Sequence, residues 1–122
     1  MDPNATITTE TGTQKIGKQV TINFTKDQTI NDLDRLYDMI AHCKHMLSVY
    51  QTASSEVIDP ELYSLLNTCK QRVQEQHGKA VDTLFNMGEY TADVAPPEQV
   101  KDISAVFMGY LKQLPNQNKL PH

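Results

Sequence analysis

Through the middle of the chain, apolar residues return every three or four positions. Leu33, Leu36, Ile40, Cys43, Leu47 and Tyr50 keep this rhythm without a break, which sets them on one stripe of an α-helix. Met39, Met46 and Ala53 widen the stripe on one side. Thr29-Ile30-Asn31-Asp32 reads as a capping box with the acid at the third helical position, so the spacing predicts a first helix over about residues 30–54. Glu56-Val57-Ile58 then supplies a turn, and Asp59-Pro60-Glu61 supplies an N-cap followed by proline at the first helical position. Leu62, Leu66, Cys69, Val73, Ala80, Leu84 and Met87 share the stripe of a second helix over 60–87, which Gly88 should end.

Two long helices joined by so short a turn pack antiparallel. Tyr90 to Pro97 reads as an extended linker, because Pro96-Pro97 cannot lie inside a helix. Val100, Ile103, Phe107, Tyr110 and Leu114 mark a third helix over 98–114, stopped by Pro115, and residues 116–122 form a polar tail. The fold class is therefore all-α: a helical hairpin with a shorter third helix in a domain spanning 29–115. Either the third helix closes a three-helix bundle, or two chains pair their hairpins into a four-helix bundle; the second arrangement is favoured.

Residues 1–28 differ in pattern. Thr is frequent, and from Val20 to Phe24 apolar and polar residues alternate, the period of a strand. The reading is an N-terminal arm, disordered at first and then extended. No second strand is evident in the sequence, and a lone strand leaves its backbone groups unpaired. Val20, Ile22 and Phe24 are thus candidates for pairing with another chain, with a disordered leader as the alternative.

Composition narrows the function classes. A chain of 122 residues fits one domain, and its mean hydropathy of -0.50 suits a soluble protein. There is no apolar run of membrane-spanning length, and the first residues have neither the basic nor the apolar region of a secretion signal. A net charge of -4 with interspersed signs argues against a nucleic-acid partner. Cys43 and Cys69 are too few for a disulfide scaffold.

Lys44-His45-Met46-Leu47-Ser48-Val49-Tyr50-Gln51-Thr52-Ala53 resembles the K-H-x-x-x-x-Y-x-x-A stretch of Coat F proteins, a family of bacterial spore coat proteins. Pro60 stands where that family often starts its second helix, and Asn86-Met87-Gly88-Glu89-Tyr90 resembles its M-x-x-G-x-Y ending. The likeness covers about residues 33–97. It implies a ferritin-like fold and a coat material made in the mother-cell cytoplasm. It also implies self-association and contact with other coat proteins, with no catalytic residues. The chain departs from the family pattern at Cys43, where many relatives carry Glu, and at Glu89, where they carry an aromatic.

A ferritin-like fold raises the question of a di-iron centre, which needs inward Glu residues and Glu-x-x-His pairs. The stripes of the first two helices hold no Asp or Glu, and Glu-x-x-His is absent from the chain. A hard cation pair cannot be held without carboxylates. His42, Cys43, His45, Cys69 and His77 are the zinc candidates. His45, however, lies nearly opposite the stripe holding Cys43, so the set does not converge. Neither a metal nor a cofactor is expected. Cys43 and Cys69 read as small buried hydrophobes that come near each other across the hairpin without a native disulfide. Folding about residue 57 brings His77 level with Tyr37, so a hydrogen bond between them is expected. The function expected is a structural, self-associating coat-type protein. The alternatives are a helical adaptor for an unlike partner and a metal-binding ferritin relative.

Overall fold

The computed structural model describes residues 1–114. Three helices dominate, and two of them pack as a hairpin, as the apolar spacing predicts. The elements are β1 (Thr6–Thr8), β2 (Gln14–Ile16), α1 (Asp32–Glu56), α2 (Pro60–Met87), β3 (Ala92–Asp93) and α3 (Pro97–Tyr110), with a 3-10 turn at Leu111–Gln113. The chain divides into two compact units, one from Met1 to Ala92 and one beginning at Asp93. The stop predicted at Pro115 and the polar tail 116–122 lie outside the described residues.

Both helices of the hairpin start on side-chain caps. At α1 the capping box is Asn31 with Asp34, two residues later than Thr29-Asp32 would place it. The Asn31 side chain accepts the Asp34 N–H at 2.9 Å and the Asp34 carboxylate accepts the Asn31 N–H at 3.0 Å. Asp27 accounts for the shift, since its carboxylate takes the Thr29 N–H at 2.7 Å in a local turn and leaves Asn31 to open the helix. At α2 the Asp59 carboxylate accepts the Glu61 N–H at 2.9 Å and Pro60 takes the first helical position. Gly88 ends α2 in the left-handed region, with φ 82°. The N–H of Glu89 reaches back to the Leu84 carbonyl and that of Gly88 to Phe85, which satisfies carbonyls the helix end would otherwise orphan.

The core lies between α1 and α2. Leu33, Ile40, Ala80 and Leu84 form one buried cluster, with Leu36, Val81 and Phe24 packed against it. Leu84 and Phe85 are fully buried. Polar contacts fix the register: Lys70 Nζ meets Gln51 Oε1 at 2.5 Å, and Tyr37 Oη donates to the Glu89 carbonyl at 3.1 Å. These partners put the fold point of the hairpin about one turn beyond residue 57. The cause is the extended backbone at Val57 and Asp59, which carries the chain outward before α2 begins, so the first turn of α2 overhangs the end of α1.

The N-terminal segment is ordered, and its strands are not where the alternation suggested. β1 and β2 form an antiparallel hairpin with Thr6 opposite Ile16 and Thr8 opposite Gln14, in a sheet of order β1-β2-β3. Residues 20–24 are outside any strand. They run instead as a strap past the C-terminal end of α2, where the Thr21 N–H donates to the Met87 carbonyl at 3.1 Å. Lys18 Nζ donates to Asn86 Oδ1 at 2.7 Å and lies 5.9 Å from the centre of the Phe85 ring.

Candidate assembly surfaces

The side chains expected on the seam divide into three groups. Leu33, Ile40, Cys43, Val73 and Leu84 are buried; Leu36, Leu47, Tyr50, Leu66 and Cys69 are half-buried. Leu62 is 43% exposed, a correction to its place in the core. Its position on the helix wheel is that of the seam, but the overhang of the first turn of α2 leaves it open to solvent on one side. Both cysteines are free thiols.

The arm candidates also separate. Val20 and Ile22 are exposed, whereas Phe24 packs into the core of its own chain. A free strand at 20–24 awaiting a second chain is therefore not what the fold provides. β1 and β2 leave no mark in the residue pattern, because three-residue strands carry too few alternating positions to register.

The polar candidates do not converge on a ligand site. His42 Nδ1 is 2.9 Å from the Asp38 carbonyl and 3.4 Å from its carboxylate, and both side chains are well exposed. His42, His45 and Ala41 line a shallow depression of about 210 Å³. Among the described residues no three His, Cys, Asp or Glu side chains are grouped as a metal ion would need. The hydrogen bond expected between His77 and Tyr37 does not form. The Tyr37 hydroxyl is drawn to the Glu89 carbonyl by the shifted register, and His77 Nε2 is buried with no partner.

What the hairpin does present is an apolar groove. Leu36 and Met39 of α1 and Gln76, Lys79, Ala80 and Thr83 of α2 line a trough of about 380 Å³. Its floor is low because Ala80 stands where a larger side chain would fill it. Met39 and Met46, one heptad apart, are 48% and 41% exposed along the α1 edge. Methionine is flexible and polarisable, and it suits a surface that another apolar face can cover. Lys79 is the single charged residue of the lining, so a helix seated here would meet mainly methyl, thioether and amide groups.

A family model spans this hairpin: the Coat F domain matches residues 31–93, just over half of the chain. The chain belongs to the Coat F family of spore coat proteins. The matched segment begins at the observed α1 cap, Asn31, and ends in β3, so it takes in both helices and the Gly88 terminus. Members of the Coat F family are structural components of the spore coat. No curated protein and no solved structure gives a match to the chain. Among the described residues no helix is long and apolar enough to cross a membrane.

Proposed function

We propose that this Coat F chain is a self-associating building block of the spore coat, structural and not catalytic, made in the mother-cell cytoplasm and layered with other coat proteins. The observation that carries the reading is the apolar groove of the hairpin. A two-helix hairpin buries only one stripe of each helix, and the groove beside that stripe is an open half of a bundle. A second hairpin laid against Leu36, Met39 and Ala80 completes a four-helix bundle, with Met39 and Met46 moving from water into the shared core.

Light scattering of the purified full chain tests this. Self-association into dimers or larger particles is expected, and Met39→Glu, which puts a charge into the groove, should weaken it at least tenfold while far-UV circular dichroism stays unchanged. A full chain that is monomeric up to the millimolar range overturns the reading.

A further inference from the structure

We propose that α3 is a second, self-complementary interface, through which one copy of this chain pairs antiparallel with the α3 of another. This rests on the self-association reading and extends it from a pair to a larger particle.

The helix needs a cover. From Val100 to Leu114 the chain carries eight large apolar side chains, and every one is between 47% and 67% exposed. The polar residues Glu98, Lys101, Asp102 and Lys112 lie on the opposite arc of the helix wheel. A helix of 14 residues is marginal on its own in water. At roughly 100 Å² per side chain, the apolar arc amounts to roughly 800 Å², the contribution of one partner to a stable protein interface.

A second copy fits the pattern. The central seam of α3 is Val100, Ile103, Phe107 and Tyr110, with spacings of three, four and three. That series reads the same in both directions. Turned end for end, a second α3 lays the seam back on itself, with Val100 level with Tyr110 and Ile103 level with Phe107. Antiparallel pairing also opposes the two helix dipoles. Phe107 and Tyr110 already stack edge to face, 6.4 Å between ring centres at 63°, so the aromatic anchors enter the interface preformed.

A lipid surface is the weaker fit. Two acids and two bases on the polar arc give no net charge to draw an anionic membrane.

The consequence is geometric. One two-fold interface closes a dimer and stops. Two distinct two-fold interfaces on one chain, the hairpin groove and α3, link dimers into particles larger than a dimer.

Light scattering of the full chain and three variants tests the assignment. Particles larger than a dimer are expected for the full chain. Phe107→Asp should reduce them to dimers held by the hairpins, and Lys101→Asp on the outer arc should leave the particle mass unchanged. Adding Met39→Glu to Phe107→Asp should give monomers. If Phe107→Asp leaves the particle mass unchanged, the α3 interface is overturned and self-association through the hairpin stands. If the full chain is a dimer and Phe107→Asp makes it a monomer, the α3 interface stands and the hairpin reading falls. Mixing Val100→Cys with Tyr110→Cys chains, each with Cys43 and Cys69 replaced by Ala, fixes the orientation. A disulfide between the two variants is expected. Bonds within each variant alone overturn the antiparallel register, and no bond at all overturns contact between α3 helices.

Discussion

Gly88 is where the α2 terminus and the strap can be perturbed together. Its φ of 82° costs an L-residue about 1–2 kcal/mol. A Cβ added there would also sit 2.5 Å from the carbonyl carbon and oxygen of Gln19 and 2.5 Å from the nitrogen of Val20. These are backbone atoms, which cannot rotate aside. In Gly88→Ala the strap must therefore lift and give up the bond from the Thr21 N–H to the Met87 carbonyl, worth about 0.5–1.5 kcal/mol. Together the two effects amount to about 1.5–3.5 kcal/mol, or a fall in Tm of roughly 5–20 °C for a domain of this size. Urea unfolding followed by circular dichroism measures the loss. The same substitution in a chain lacking residues 1–25 should cost only the conformational part, about 1–2 kcal/mol. Gly88→Asn separates the effects from the other side, since Asn tolerates the left-handed region but still brings a Cβ against Gln19. A loss below about 0.5 kcal/mol for Gly88→Ala would refute the strained terminus. Equal losses with and without the arm would refute the contact with the strap.

Two further substitutions test the fold. Asn31→Ala should destabilise the chain by about 1 kcal/mol while Thr29→Ala changes it by a few tenths, and the reverse order in thermal melts would return the α1 cap to Thr29. His77→Leu should be neutral or stabilising, because it replaces a buried nitrogen without a partner by apolar volume; a loss above about 1 kcal/mol by urea titration would mean that His77 has a partner in solution.

The helices were legible because their evidence is local. Three-four spacing names the buried face, and Asp59-Pro60 and Gly88 mark ends by chemistry that acts within a few residues. The α1 cap was ambiguous for the same reason. Thr29 and Asn31 are each followed three residues later by an acid, and only the competing Asp27 contact decides between them. Leu62 shows where periodicity stops. Spacing reports which face a residue occupies, not whether the opposing helix reaches that far. The arm was misread because its fixing contacts are long-range. Of the alternating apolar residues Val20, Ile22 and Phe24 only Phe24 packs against the core, and the segment is held to α2 through the backbone of Thr21 and not by a neighbouring strand. Of the candidate surfaces, the α3 stripe could be read from spacing alone. The groove could not, since it depends on which turns of α1 and α2 face each other.

The strap also bears on the order in which the protein assembles itself. The contacts from Lys18 to Asn86 and from Thr21 to Met87 join residues 68 and 66 positions apart. Loop closure over such a span is slow compared with helix growth and hairpin docking. On a ribosome, residues 1–25 emerge before α2 and wait, because their docking platform is the end of that helix. A segment synthesised before the helices is thus fixed after them. Until it is, Leu84 and Phe85 lack their final cover, and the nascent chain carries a brief apolar opening that closes once residue 92 is clear of the exit tunnel.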